Sequence, residues 1–142
     1  MWLDIGREYT ERWHHQDQIR EAMGASPLAA AEWLRPVIDI SVLALPQAYA
    51  AVDAPAHTRI VLSIGGPGGG DWTLERNGTW HVLEGATPVS DCHVCMDDLD
   101  FARLLLHRLP TDVARGRMDV TGNAAFAEPL LRTRAVMVKA DQ

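Results

Sequence analysis

Residues 58–96 contain four short segments rich in β-branched and aromatic residues, separated by turn-forming residues, and this pattern limits the fold most strongly. The first segment, TRIVLSI, alternates apolar and polar residues as a half-buried strand does. The glycine-rich loop GGPGGG precedes the second segment, DWTLE, and Arg76-Asn77-Gly78 separates that segment from the third, TWHVL. We therefore predict a hairpin, followed by a further strand over DCHVCM.

The hairpin register can be predicted from its turn. If residues 76–78 form a three-residue loop with Gly78 in the left-handed conformation, alternate residues share a face. The predicted apolar face consists of Trp72, Leu74, Trp80 and Val82. The predicted wetter face consists of Thr73, Glu75, Thr79 and His81. Trp80 should therefore be buried and His81 exposed.

Apolar residues at helical spacing predict a helix over residues 3–23, ended by a left-handed Gly24. Ser26 is a candidate N-cap with Pro27 in the first turn, and residues 28–51 are rich in alanine and leucine. We expect short helices in this segment, broken near its prolines, Pro36 and Pro46.

The remaining elements are predicted from capping residues. Asp97 is the expected N-cap of an amphipathic helix, FARLLLHRL, which Pro110 ends. Residues 117–120 are a candidate last strand. Asn123 can cap a short helix that Pro129 must bend or end.

Composition excludes several classes of protein. The 13 Lys and Arg residues against 19 Asp and Glu give a net charge of −6, which disfavours nucleic acid and anionic lipid surfaces. No apolar stretch approaches the roughly 20 residues that span a bilayer, and the N-terminus lacks the pattern of a signal peptide. Two cysteines do not form a secreted disulfide framework, so we expect a cytoplasmic protein.

Two candidate metal ligands lie on the first predicted helix. Glu11 and His15 are four residues apart and therefore share a face, with Glu8 close beside them. A carboxylate and an imidazole at this spacing can supply two ligands to a divalent ion such as zinc. The alternative is that Glu8, Glu11 and His15 form a solvated helix face.

The same segment, REYTERWHHQDQIREAMG, resembles the last bundle helix of the mycothiol-dependent maleylpyruvate isomerases and their DinB-like relatives. In that resemblance Glu11 and His15 match the metal ligands, Trp13 the aromatic between them, and Ile19-Arg20 the trailing pair. The acidic residue that usually precedes the isoleucine is here Gln18, and Asp17 stands one position earlier.

The rest of the chain resembles the C-terminal domain of that family, which has a sterol-carrier-protein-2-like fold. The matching residues are Gly65-Gly66-Pro67-Gly68-Gly69, Trp72, Trp80 and Val120-Thr121-Gly122, with Asn123 where the family commonly has Asp. The resemblance implies an α+β fold in which helices pack on one face of an antiparallel sheet, preceded by a bundle-type helix. It further implies a helix at residues 1–25 and the carrier-like domain at residues 26–142. The earlier bundle helices, which supply the other histidine ligand in the family, have no counterpart here.

Other motifs are weaker. The glycine loop lacks the Lys-Ser/Thr of a phosphate-binding loop and joins two strands. Cys92 and Cys95 are three apart in a predicted strand, so they should point to opposite faces, with Cys92 the more buried and Cys95 the more reactive. Ser63, His57, His81 and His107 have no partner visible in the sequence for a nucleophilic triad.

Three functions remain open. The first is an accessory or binding module with a pocket for a small hydrophobic or electrophilic molecule, formed by Trp72, Trp80 and Met96. The second is a metal- and mycothiol-dependent isomerase or transferase whose metal site is completed by oligomerisation or a partner chain. The third is a homo-oligomer assembled through the first helix, which is expected to expose Trp2, Tyr9 and Trp13 when its bundle is missing. Whether the chain alone is an enzyme stays open.

Overall fold

The computed structural model describes residues 2–134, which form a five-stranded mixed sheet and six α-helices. The helices are α1 (Trp2–Ala22), α2 (Ala31–Ser41), α3 (Leu45–Tyr49), α4 (Asp98–Leu105), α5 (Thr111–Arg117) and α6 (Glu128–Leu131). The strands are β1 (Arg59–Gly65), β2 (Gly70–Asn77), β3 (Thr79–Glu84), β4 (Cys92–Asp97) and β5 (Asp119–Gly122). Two short 3-10 helices, Val42–Ala44 and Ala124–Ala127, precede α3 and α6. The α+β class is therefore confirmed.

The sheet order is β3-β2-β1-β4-β5, and the central pair, β1 and β4, is parallel. The expectation of a wholly antiparallel sheet was wrong at this pair. The physical reason is the path of the connection 85–91. It starts at the end of β3, at one edge of the sheet, and crosses back to the end of the sheet where β1 begins. Strand β4 therefore runs in the same direction as β1, as a crossover connection allows. Thr73 Oγ1 donates to the Gly85 carbonyl (2.7 Å) at one end of the connection. The Asp91 amide donates to the Arg59 carbonyl (2.8 Å) at the other.

The core lies between one face of the sheet, here called the inner face, and the helices. Alternate residues of the three central strands point inward and are buried: Ile60, Leu62, Ile64, Trp72, Leu74, Cys92, Val94 and Met96. Helix α2 contributes Leu34, Val37 and Ile38, and α4 contributes Phe101, Leu104 and Leu105, all of them completely or almost completely buried. The inward-facing side chains of the strands, which alternate along the chain, thus pack against the apolar faces of α2 and α4 in one core.

The β2–β3 hairpin has the predicted faces. Leu74 lies opposite Val82, Arg76 lies opposite Trp80, and Gly78 has a φ of 75°. The predicted three-residue loop at 76–78 was wrong, because strand pairing continues to Asn77 opposite Thr79; this shifts the register by two residues and leaves both faces unchanged. Trp80 is buried and His81 is exposed, as predicted. Thr73, however, is buried although it was assigned to the wetter face, because the connection 85–91 bonds to its hydroxyl.

The segment after α1 departs from the prediction. Helix α1 ends before Gly24, whose φ is 68°, as expected, but α2 begins at Ala31 rather than after Ser26. The reason is tertiary: Arg20 donates to the Ser26 carbonyl (3.0 Å), and the Trp13 indole donates to the Leu28 carbonyl (3.1 Å). These bonds hold residues 25–30 in a non-helical conformation against α1.

The prolines also act differently from the expectation. Pro36 lies inside α2, whereas the helix gives way to a 3-10 turn at Val42–Ala44. Pro46 and Pro129 lie in the first turns of α3 and α6, where a missing amide hydrogen costs nothing. The Asn123 side chain accepts a bond from the Ala125 amide (3.1 Å), so the predicted cap is confirmed.

Of the helices that the structure describes, none combines the length and the apolar character that crossing a bilayer requires.

Candidate functional site

A small apolar cavity lies between the inner face of the sheet and helices α3 and α6. Its lining residues are Leu45, Tyr49, Ile60, Leu62, Trp72, Leu74, Val94 and Leu130. Its free volume is about 10 Å³, roughly what one buried water requires. The lining side chains are apolar except for the Tyr49 hydroxyl and the Trp72 indole N–H, so the cavity suits an apolar occupant, which would have to widen it.

Tyr49, which lines this cavity, contacts both the segment before α6 and strand β3. Its hydroxyl donates to the Phe126 carbonyl at 2.5 Å, and its ring centroid lies 5.4 Å from that of Trp80. Burial raises the pKa of the Tyr49 phenol far above its ordinary value, so the group stays a neutral donor at physiological pH. The bond therefore ties α3 to the 3-10 helix that leads into α6.

The predicted pocket residues are buried, but they do not share one cavity. Trp72 lines the apolar cavity, whereas Trp80 lines a separate open pocket of about 240 Å³ beside Pro46 and Gln47. Met96 borders a groove of about 400 Å³ at the end of β1 and β4. Sequence reasoning missed Tyr49 and Leu130, because short helices give no periodic signal that marks a cavity-facing residue. A shared ligand contact of Trp72, Trp80 and Met96 stays a prediction.

Glu11 and His15 lie together on the solvent side of α1. His15 Nε2 is 4.0 Å from Glu11 Oε1, and their side chains are 64% and 61% exposed. Among residues 2–134, no three His, Cys, Asp or Glu side chains are grouped so that they could hold a metal ion. The pair can therefore offer two ligands, and a further ligand would have to come from outside the described residues.

Two charged side chains, Asp98 and Arg35, form hydrogen bonds to the backbone of the glycine loop. The bonded Gly68 amide is therefore not free to bind a phosphate. The buried Gly68 amide donates to Asp98 Oδ2 (2.9 Å), and Arg35 donates to the Gly69 carbonyl (2.9 Å). A methyl group added to Gly66, whose φ is 98°, would lie 2.5 Å from Asp98. These contacts favour the interpretation of the loop as a strand connection.

The two cysteines are free thiols on opposite faces of β4, as the alternation predicts. Cys92 is buried in the core, and this burial raises the pKa of its thiol. Cys95 is half-buried on the outer face, where its Sγ lies 3.6 Å from His93 Nε2. The same nitrogen lies 2.7 Å from Ser63 Oγ. Ser63 thus has a histidine partner that the sequence did not reveal, because their proximity depends on the parallel β1–β4 pairing.

Comparison with known proteins gives the fold. No protein-family model matches the sequence, and no curated protein matches it significantly. The crystal structure of sterol carrier protein 2-like 2 from Aedes aegypti is similar, with a TM-score of 0.54 and 20% identity over 69% of this chain and 96% of that one. A sec-alkylsulfatase, Pisa1 from Pseudomonas sp., is similar over 76% of this chain and 17% of its own length, with a TM-score of 0.52 and 16% identity. The chain therefore has a sterol-carrier-protein-2-like α+β fold.

Proposed function

We propose that this chain binds a small hydrophobic molecule between the inner face of its sheet and helices α3 and α6. The observation that carries the proposal is the cavity, whose lining side chains are apolar except for the Tyr49 hydroxyl and the Trp72 indole N–H. The similar Aedes aegypti protein is described as a sterol carrier protein 2-like protein, which supports a lipid-like ligand. Sites for such molecules are concave and mostly apolar.

Binding requires the cavity to widen, since its present volume of about 10 Å³ holds no ligand larger than water. Helices α3 (Leu45–Tyr49) and α6 (Glu128–Leu131) each contain little more than one turn, so displacing them breaks few backbone hydrogen bonds. The sheet that forms the opposite wall is fixed by pairing on both sides of β1. We therefore expect α3 and α6 to move away from the sheet and from each other as the ligand binds.

The test is native mass spectrometry and calorimetric titration with saturated fatty acids and long-chain alcohols of increasing length. We compare Leu130→Ala, which enlarges the cavity, with Leu105→Ala in α4, which is equally buried and lies away from it. Both variants should lose about 2–5 kcal/mol of unfolding free energy. Only Leu130→Ala should shift the preferred chain length or raise the affinity. Absence of stoichiometric binding for every length, or equal effects of the two variants, would contradict the proposal.

We further propose that this binding unit is an accessory domain of the mycothiol-dependent maleylpyruvate isomerase type, acting in the cytosol. The support is the sequence pattern alone: Glu11, Trp13 and His15 in α1, and the glycine loop with Trp72 and Trp80 in the sheet. The exposed position of Glu11 and His15 leaves both side chains accessible to a second helix. A cytosolic location is consistent with the two free cysteines, because thiols stay reduced in that compartment.

The alternative is an isomerase or transferase that uses zinc and mycothiol and is completed by a partner chain or by a second copy. Trp2 and Ile5 are largely exposed on α1, so these residues would form the contact between helices. Trp13, which was also expected to be exposed, is only 3% exposed and packs within its own chain.

Zinc per chain, measured after dialysis over a range of protein concentrations, tests this alternative. His15→Ala should abolish retained zinc, whereas His14→Ala, which changes the neighbouring histidine, should not. Maleylpyruvate isomerisation with added mycothiol is measured in parallel. Zinc that is lost on dilution supports completion by a second copy, and no retained zinc at any concentration counts against the alternative.

A further inference from the structure

A nucleophilic cluster lies on the outer face of the sheet, on the opposite side from the apolar cavity. Cys95 lies between two neighbours in register, Ser63 on β1 and Asp119 on β5. His93, two residues earlier on β4, points to the same face. Its Nε2 is 2.7 Å from Ser63 Oγ and 3.6 Å from Cys95 Sγ. A thiol, an imidazole and a hydroxyl therefore meet at one point.

The cluster borders an open groove of about 400 Å³. Ser63 and Cys95 line the groove together with Asp97, Arg117 and Asp119. The volume is large enough for a small molecule of several heavy atoms, and Cys95 is partly accessible from it. A thiol with a base at hydrogen-bonding distance and open space beside it has the arrangement that activates a nucleophile.

The charges of the groove are predominantly negative. Asp97 and Asp119 are both exposed there. The guanidinium of Arg117 is paired with Asp100, whose Oδ1 lies 2.7 Å from its Nη1. Asp71, the register partner of Ser63 on β2, adds another exposed carboxylate beside the groove. An anionic reagent is therefore repelled, and a neutral or cationic one is favoured.

We propose that Cys95 is a thiol–disulfide exchange site for small neutral or cationic disulfides, with His93 as the base. His93 Nε2 takes the proton of the Cys95 thiol, and the thiolate attacks one sulfur of the disulfide. A bond forms between Cys95 Sγ and that sulfur while the S–S bond of the reagent breaks. The leaving thiolate takes the proton from the imidazolium and departs as a thiol. The cysteine is oxidised to a mixed disulfide, and the other half of the reagent is reduced.

The experiment measures second-order rates with three probes: cystamine, which is dicationic, hydroxyethyl disulfide, which is neutral, and dithiodipropionate, which is dianionic. Each rate is divided by the rate of the same probe with 2-mercaptoethanol, which removes intrinsic differences between the probes. The modified residue is located by peptide mapping in the wild-type chain, in Cys95→Ser and in Cys92→Ser. At low ionic strength we expect cystamine to react about tenfold faster than dithiodipropionate. The difference should shrink in 1 M salt, where the screening length is about 3 Å.

His93→Gln tests the role of the base. A few per cent of an ordinary thiol is ionised at pH 7, so activation by His93 can accelerate the reaction by at most about thirtyfold. We expect the variant to react about three- to thirtyfold more slowly with hydroxyethyl disulfide, while its unfolding midpoint confirms that it is folded. A rate within twofold of wild type overturns the proposal. So does modification at Cys92, or equal normalised rates for the cationic and anionic probes at low salt.

Discussion

Asp17 of α1 accepts two hydrogen bonds from Arg103 of α4, at 2.9 Å from Nε to Oδ2 and 3.1 Å from Nη2 to Oδ1. Asp17 is completely buried, and Arg108 donates a further bond to the same carboxylate. Glu21, one turn further along α1, also pairs with Arg108, at 3.0 Å. These ion pairs join α1 to α4 and to the segment after it, although the paired residues are far apart in the sequence. The division of the chain near residue 25 into two domains stays a prediction, and this ion pair offers a way to test it.

Asp17→Asn should lower the free energy of unfolding by about 3 kcal/mol, because it leaves two guanidinium groups without their buried counter-charge. The matched control is Glu8→Gln, which breaks the exposed Arg12–Glu8 pair on the same helix and should cost about 0.5 kcal/mol or less. Urea unfolding followed by circular dichroism measures both. If α1 were a separate domain, Asp17→Asn would reveal an early transition for the helix rather than shift one common transition.

The contribution of Asp17 should also depend on pH. Burial alone would raise the pKa of this carboxyl, but hydrogen bonds from Arg103 and Arg108 outweigh it, so the pKa lies below its ordinary value of 3.8. A carboxyl with a depressed pKa in the folded state stabilises the fold above its unfolded pKa, and this stabilisation is lost as the pH falls through the folded pKa. We therefore expect the difference between wild type and Asp17→Asn to be constant from pH 7 to about pH 5 and to shrink below about pH 4. Urea titrations at successive pH values measure it, and a difference that persists undiminished at low pH would contradict the expectation.

The strands and their faces could be predicted from the sequence because side-chain alternation is a local property. Trp80 is buried and His81 is exposed for this reason. The parallel pairing of β1 with β4 could not be predicted, since it depends on where the connection 85–91 docks. The Ser63–His93–Cys95 cluster depends on that pairing, so the sequence could not predict it either.

The helices show the same limit. Helix α5 was not predicted, because Ala114 is its one buried residue and it lacks an apolar stripe. Ser26-Pro27 has the local signature of a helix start, yet hydrogen bonds from Arg20 and Trp13 hold the segment in another conformation. At Ser26-Pro27, tertiary contacts override the local helix propensity.

Gly66→Ala should destabilise the fold more than Gly78→Ala. Both glycines have positive φ, 98° and 75°, so both substitutions force a strained backbone. At Gly78 nothing lies within 4 Å of an added methyl group, whereas at Gly66 the methyl group would lie 2.5 Å from the Asp98 carboxylate. That carboxylate holds the glycine loop through the Gly68 amide. We expect a loss of about 1 kcal/mol at Gly78 and about 2 kcal/mol more at Gly66, measured by urea unfolding. Equal losses would show that the contact with Asp98 is unimportant.

Tyr49→Phe should loosen the wall of the apolar cavity without changing its shape. The substitution removes the 2.5 Å hydrogen bond to the Phe126 carbonyl, which joins α3 to the chain leading into α6. We expect a loss of about 1 kcal/mol in unfolding free energy and faster uptake of a hydrophobic ligand, because widening the cavity no longer breaks this bond.

The chain provides a matched control for that change. Tyr9 also donates its hydroxyl to a backbone carbonyl, that of Trp33 at 2.8 Å, but it lies on α1 and does not line the cavity. Tyr9→Phe should therefore leave the uptake rate of a fluorescent fatty acid unchanged in stopped-flow measurements, whereas Tyr49→Phe should raise it. Equal rates in the two variants would show that the Tyr49 hydroxyl does not control access to the cavity, even if both variants were destabilised by the same amount.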